Sequence, residues 1–329
     1  MTSPFSASSS AAGDGNIVVK LLPGGSSGLE ALTYQYPLKL ISPSPSADQK
    51  STLVFLLSYG GGLVGGDQVD LSIAVHAGSR LSLVTQGHTK IFKSASPDIV
   101  TRQTLRVQVE DDAALCLLPD PVQPFEKSVY AQTQIFRLAP RASLCFLDWV
   151  TQGRSARGED WSFVRWSGRN ELWLRGSDDA PKDRLLVRDT VVLSGPDSLV
   201  LGRPLKETMH KLGIFGTLIL RGDAMKSVGD FFLSEFAVLP RIGARDFRSP
   251  EDRARERESQ SELEKWRAER IEKELEEGVL WSAAQVRSCV IIKFGARTVE
   301  ASREWVGGML FKEGSVPAHF GDQALMCLR

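Results

Sequence analysis

The stretch LLSYGGGLVGGDQVDL, Leu56 to Leu71, decides between two folds. Gly60, Gly62 and Gly65 satisfy the spacing G-x-G-x-x-G, and the apolar run LVFLLSY leads into them, as in a dinucleotide-binding loop. Such a loop works only if its last glycine opens a helix, whose N-terminal N–H groups and dipole hold the pyrophosphate. Here Gly65 and Gly66 run into Asp67 and then Val69, Leu71, Ile73 and Val75, an alternation of period two. The segment after the glycines reads as a strand, and Asp67 would set a carboxylate where phosphates belong. No lysine followed by serine or threonine closes the loop, so the Walker pattern fails as well. The glycines, Gly61 among them, are read as a turn or bulge between strands, with φ > 0 or backbone passing close to backbone. Gly62 and Gly65 are the two expected at φ > 0.

Outward from this loop the pattern stays that of strands. Leu81 and Leu83 alternate with polar residues, as do Leu105, Val107 and Val109, then Trp161, Phe163 and Trp166. Turn signals such as HAGS, EDD, APR and GSDD separate the runs. From Asn16 to about Leu193 this argues for an all-β body, a sandwich or a solenoid. Residues 1–15 are small and polar and read as a disordered tail, followed by a single domain over 16–329.

The second half is mixed. In AMKSVGDFFLSEFAVL, Ala224 to Leu239, Val228, Phe231, Phe232, Phe236 and Leu239 recur at helical spacing. Residues 244–278 are dominated by charge. Their large apolar residues, Leu263, Trp266, Ile271 and Leu275, fall sparsely on one side of a helical wheel, and Gly278 marks a stop. So polar a helix is expected to be peripheral and largely solvated. QVRSCVIIKFGA then reads as a buried strand, and SREWVGGMLFKE as a short helix with Trp305 and Met309 one turn apart.

Composition excludes several functions. Of 329 residues, 42% are apolar and 24% charged, enough for a proper core. Lysine plus arginine equals aspartate plus glutamate at 40 each, so no global field attracts nucleic acid or anionic lipid. No apolar run approaches the length of a membrane span. Cys116, Cys145, Cys289 and Cys327 are scattered, which fits a reducing, cytoplasmic compartment rather than a disulfide framework. The four histidines, His76, His88, His210 and His319, show no metal-ligand spacing, so metal ligands stay unassigned. Asp111–Asp112 and Asp178–Asp179 read as turn caps.

Four blocks in order carry a family resemblance. YGGGLVGGD, LVTQGHTKIFKS, LPDPVQPFEKSVY (Leu118 to Tyr130) and LDWVTQGRSARGEDW (Leu147 to Trp161) together resemble the urease accessory protein family UreD, also called UreH. The likeness spans about residues 16–220, and more loosely the helix around Trp305. It is that of a eukaryotic, fungal-like member, with 244–278 as a charged helical insertion relative to compact members.

The resemblance implies a right-handed β-helical, solenoid-like body with a few helices toward the C-terminus. It also implies a non-enzymatic role: a scaffold that binds urease apoprotein with a UreF-type protein and a UreG-type GTPase, so that nickel(II) reaches the urease active site in transient contact. The family-motif residues are then Gly60, Gly61, Gly62, Gly65, Gly66, Asp67, Thr85, Gln86, Lys90, Pro119, Asp148, Trp149, Arg154 and Glu159. Thr85, Gln86 and Lys90 would line a hydrated path or order a turn. Asp67, Asp148, Arg154 and Glu159 would share one buried network. Phe232, Phe236, Trp305 and Met309 are candidates for partner binding. Two rivals are a carbohydrate-active enzyme with clustered carboxylates in a groove, and an interaction module built on the charged helix.

Overall fold

The structure, a computed structural model, describes residues 10–45, 49–176, 182–194, 203–240 and 260–329. The charged stretch up to residue 259, the first nine residues and the Asp178–Asp179 pair lie outside them. The strands in chain order are β1 (Asp14–Leu21), β2 (Ser27–Tyr34), β3 (Leu38–Ile41), β4 (Thr52–Ser58), β5 (Gln68–Val75) and β6 (Arg80–Val84). Next come β7 (Thr89–Ile91), β8 (Thr101–Val109), β9 (Ala114–Leu117), β10 (Val122–Pro124), β11 (Val129–Leu138) and β12 (Ser143–Thr151). After β13 (Arg165–Leu174) and β14 (Arg184–Ser194), a short α1 (Leu205–Thr208) precedes β15 (Ile214–Arg221) and α2 (Lys226–Ala237). The chain continues with α3 (Glu262–Glu277), β16 (Leu280–Val286), β17 (Cys289–Ala296), α4 (Val299–Glu313) and α5 (Ser315–Phe320).

The strands form two sheets. The first runs β14-β13-β11-β8-β5-β1-β2, and the second β16-β17-β15-β12-β9-β6-β4-β3, with β10 and β7 beside β12. β1, β5, β8, β11 and β13 pair in parallel in the first sheet, as β4, β6, β9 and β12 do in the second. Antiparallel strands flank both groups. Between residues 52 and 174 the chain passes repeatedly from one sheet to the other, which is why sequence-adjacent strands are not sheet neighbours. The protein is mainly β with helices toward the C-terminus. Its sheets are mixed and do not close, so this strand order does not by itself amount to the solenoid implied by the resemblance.

Two apolar layers hold the fold. Leu71, Val107, Phe136 and Leu172 from the first sheet meet Leu83, Leu115 and Phe146 from the second. On the second sheet's other face, Cys145, Leu147, Trp149 and Leu218 pack under Phe232, Trp305 and Leu310 of the helices. A sheet covered on both faces needs strands apolar on both sides. β12, SLCFLDWVT, is accordingly buried at every residue, whereas β5 alternates as expected. Each fully buried large side chain contributes about 1.5–3 kcal/mol.

The helix ends follow the sequence. Ser261 caps α3 in a capping box with Glu264, and Gly278 stops it at φ 68°. Its burial differs from expectation. Leu275 is 75% exposed and Leu263 44%, while Arg270 and Glu274 are buried. The helix docks through charge: Arg267 Nε and Nη2 donate to Glu235 of α2 at 2.8 and 2.6 Å, and Arg270 Nη2 donates to it at 3.1 Å. Burial pushes Glu235 up, but Arg267 and Arg270 together hold it below the usual carboxylate range. The described part of the charged stretch is therefore exposed over most of its surface, as expected, and anchored along one charged face.

Candidate functional site

The glycine loop closes one end of the sheets. Gly60 and Gly61 take φ 69° and 74° in the turn after β4, where a Cβ would meet nothing within 4 Å. Gly62 is extended, at φ 172°, and Gly65 is not left-handed either, which corrects the expectation; they are glycine because backbone passes close. A Cβ on Gly62 would stand 2.7 Å from the Lys90 carbonyl oxygen, and one on Gly65 3.0 Å from Ser94 Cα. That proximity lets Leu63 N donate to Lys90 O at 2.8 Å and Phe92 N to Leu63 O at 2.9 Å. Gly66 has φ 95°, and Asp67 Oδ2 accepts from Val64 N at 2.7 Å before β5 begins. The loop feeds a strand, so no helix N-terminus is present to take phosphates.

Beside it, Thr85 is buried against Asp120. Thr85 Oγ1 donates to Asp120 Oδ2 at 3.0 Å and accepts from Asp120 N at 2.7 Å. Gly87 N also donates to Oδ2, at 2.8 Å, and Arg303 of α4 donates to Oδ1 at 3.0 Å. Asp120 thus ties both sheet-end loops to the helical layer. Gln86 and His88 line an open cavity of about 290 Å³ with Tyr59, Gly60 and Gly61. Burial lowers the His88 pKa, leaving its imidazole neutral at neutral pH. The Lys90 side chain is exposed and contributes its backbone alone to the loop.

A smaller cavity of about 30 Å³ lies deeper, between the sheets. Leu56, Thr85, Thr89 and Gln103 line both cavities. Its inner wall carries Gln132, Gln134 and Asp148, with Pro119 and Trp149 beside them. Asp148, 8% exposed, accepts from Gln132 Nε2 at 2.9 Å and from Asn170 Nδ2 at 2.7 Å. Gln134 Nε2 donates to Asn170 Oδ1 at 3.1 Å, and Tyr130 OH to Gln132 Oε1 at 3.1 Å. Burial raises the Asp148 pKa against these two amide bonds; Asp189 pushes it further up and Lys293 down.

Strand register explains how these groups meet. In the first sheet Gln134 lies opposite Asn170, and Asn170 opposite Asp189. In the second, Asp148 lies opposite Thr217, and Thr217 opposite Lys293. The two rows face one another, joined by the Asn170–Asp148 bond at one point and by Lys293 Nζ, 2.8 Å from Asp189 Oδ1, at another. The Lys293 side chain is 39% exposed. A polar thread therefore crosses an apolar interior from the glycine-loop cavity to a half-exposed ion pair.

Other candidates lie elsewhere. Arg154 and Glu159 fold their own loop: Nε donates to Oε1 at 2.9 Å and the Arg154 N to Oε2 at 2.8 Å, while the guanidinium stacks 3.8 Å from the Phe125 ring centre. Asp67, Asp148 and the Arg154–Glu159 pair have separate partners, so the single network expected of them is not formed. Trp149 Nε1 donates to Pro119 O at 2.8 Å, a bond that orders the loop. Phe232 is a core residue and Phe236 is half-buried, while Trp305 and Met309, though buried, line the floor of a cleft between α3 and α4. Sequence reasoning missed Gln103, Asp120, Gln132, Gln134, Asn170, Asp189 and Lys293. A signal existed in VYAQTQIFRL, where Gln132 and Gln134 occupy the same alternate positions as Tyr130 and Phe136.

Among the described residues no group of three or more histidine, cysteine, aspartate or glutamate side chains could hold a metal ion. What the thread offers is amide, hydroxyl and carboxylate oxygen in small numbers.

The comparisons with known proteins agree on one family. The family model described as UreD urease accessory protein matches residues 12–312. An "Uncharacterized urease accessory protein ureD-like" of Schizosaccharomyces pombe is 34% identical over 273 residues, covering 83% of this chain and 84% of the relative. "Urease accessory protein UreD" of an Anaeromyxobacter strain is 30% identical over 290 residues, covering 88% and 82%. "Urease accessory protein D" of Oryza sativa subsp. indica is 32% identical over 198 residues, covering 60% and 61%. This chain belongs to the UreD urease accessory protein family.

Proposed function

We propose that this chain is a non-enzymatic urease maturation factor that passes nickel(II), as cargo, along the polar thread between its sheets. It would do so in a complex with urease apoprotein, a UreF-type protein and a UreG-type GTPase. The observation that carries the reading is the thread itself. Burying Gln132, Gln134, Asn170 and Asp148 in an apolar interior is costly, and a fold needing only stability would fill those positions with hydrocarbon. Sparse oxygen ligands suit an ion that must leave again; a histidine–cysteine cage would retain it. Residence in the cytoplasm goes with four free cysteines and with described helices none of which is long and apolar enough to cross a membrane. The repeated passage between sheets supports a helical winding of the central coils. The rival carbohydrate-active enzyme needs paired carboxylates across a groove, and none lines the glycine-loop cavity.

The test is co-expression with urease apoprotein and the two partner homologues, followed by pull-down and measurement of nickel bound to urease. Co-purification together with nickel-loaded urease is expected. Full nickel loading in the absence of this chain overturns the proposal.

A further inference from the structure

The cleft between α3 and α4 has no part in the thread. It holds about 230 Å³, and Trp266, Val279, Trp305 and Met309 give it an apolar floor. Gly308 also lines it, exposed and well inside α4. Glycine is the least favourable residue after proline for a helix interior. Its neighbour Gly307 has a packing reason, since a Cβ there would stand 2.3 Å from the Leu328 carbonyl oxygen. Gly308 has none: a Cβ there meets no atom within 4 Å. The helix thus bears the cost of a bare position that serves no packing among the described residues.

The rim of the cleft is acidic. Glu269, Glu277 and Glu304 line it against a single lysine, Lys273, which is bonded to Glu304 and stands 3.9 Å from Glu277, so carboxylates outnumber it. Arg270, also in the wall, is buried and held by Glu235 and Glu274. The last turn of α3 has no basic residue, so the negative end of the helix dipole adds to the field. Arg297 reaches the Glu276 carbonyl at 3.2 Å but does not line the cleft. Trp266 already takes two cations on its ring, Lys312 Nζ at 5.3 Å and the Arg270 guanidinium at 5.5 Å from the centroid.

We propose that this cleft docks a segment of a partner protein that sets an aliphatic side chain over Gly308, against Trp305 and Met309, and a lysine or arginine against Glu269 and Glu277. An apolar pocket with a charged rim reads such a pair: the apolar anchor gives affinity, and the rim gives partner choice. The site lies in the helical layer, so it goes beyond the proposed ion path and stands or falls separately from it.

The test uses the full chain and two synthetic helical peptides, one of leucine and lysine, the other with glutamate at every lysine. Tryptophan fluorescence reports binding because Trp266 and Trp305 line the cleft. Saturable binding of the lysine peptide is expected, with the glutamate peptide weaker by about tenfold or more. Gly308→Leu fills the cleft from within; it should weaken the lysine peptide by about tenfold while the melting temperature holds or rises. The double change Glu269→Lys with Glu277→Lys leaves the floor intact and should reverse the peptide preference, which keeps the proposal testable if Gly308→Leu misfolds. Equal binding of the two peptides, or no reversal, overturns it. So does a wild-type dimer that Gly308→Leu makes monomeric, which would assign the cleft to a second copy of this chain. Nickel loading of urease by Asp148→Asn reads the ion path alone, so failure of one reading is not mistaken for failure of the other.

Discussion

Asp148 separates what the fold needs from what the path needs. In Asp148→Leu, Gln132 Nε2 and Asn170 Nδ2 lose the acceptors they now meet at 2.9 and 2.7 Å. A buried donor left without a partner costs about 1–3 kcal/mol, so the two together cost about 2–6 kcal/mol, less what the leucine gains by its own burial. At roughly 2 °C per kcal/mol for a chain of this size, the melting temperature falls by about 4–12 °C. Asp148→Asn keeps the shape and one acceptor. Its new amide faces Asn170 Nδ2, and the conflict resolves if the amides of Asn170 and Gln134 turn over together, leaving a cost of about 1 kcal/mol. Burial raises the Asp148 pKa, so the stability that its protonated form contributes is complete below the ordinary value of 3.8 and is lost as pH rises through the raised folded value. Asparagine carries no such loss. The melting temperature of Asp148→Asn minus that of wild type should therefore grow as pH rises above 3.8 and level off once pH has passed the raised folded value. The assay is thermal denaturation of the three proteins across that range, with urease nickel content measured beside it. A leucine variant as stable as wild type refutes the network, and a difference that shrinks with rising pH refutes the burial argument. An asparagine variant that assembles and loads urease fully refutes the ion path.

Gly62→Ala should destabilise more than Gly61→Ala, because its Cβ meets the Lys90 carbonyl at 2.7 Å whereas Gly61 suffers only the strain of φ 74°; about 2–4 against about 1 kcal/mol is expected in urea unfolding. The opposite order would show that turn geometry, not close approach, governs the loop. Glu235→Ala leaves Arg270 buried without its carboxylate on α2 and should cost about 3–5 kcal/mol, read by melting and by earlier proteolysis of α3. An unchanged melting temperature would mean that the helix docks by other means. Ellman's reagent at pH 8 should find no reactive thiol in the folded protein and four after unfolding, since all four cysteines are buried and burial pushes Cys327 up to about 12 and raises Cys116 and Cys289 as well. Rapid native labelling would contradict the packing of the second sheet under the helices.

Strand identity was legible wherever one face of a strand is solvated, because alternation then survives, as in β5 with Val69, Leu71, Ile73 and Val75. Sheet membership was not. Parallel pairing joins residues such as Val69 and Gln103, whose relation no local pattern encodes. The thread escaped for a related reason: Gln132, Gln134 and Asn170 look like solvent positions until register turns them inward. The boundary at residue 16 fell two residues late, since β1 begins at Asp14 in a polar stretch and gains its partners from β2 and β5. In α3 the apolar residues were found, and Trp266 does pack against Phe231, but the docking face also runs through Arg267, Arg270 and Glu274, which no apolar pattern marks.

That charged dock governs how the helix can change over descent. Leu275, 75% exposed, is free to become lysine or glutamine at almost no cost. Glu235, Arg267, Arg270 and Glu274 are not free one at a time, because loss of any one leaves a buried charge with fewer partners. Nor can the first three give way to hydrocarbon together, since Glu274 would then stay buried without its arginine. The four positions should thus drift as one unit, while the exposed positions of the helix vary without regard to them.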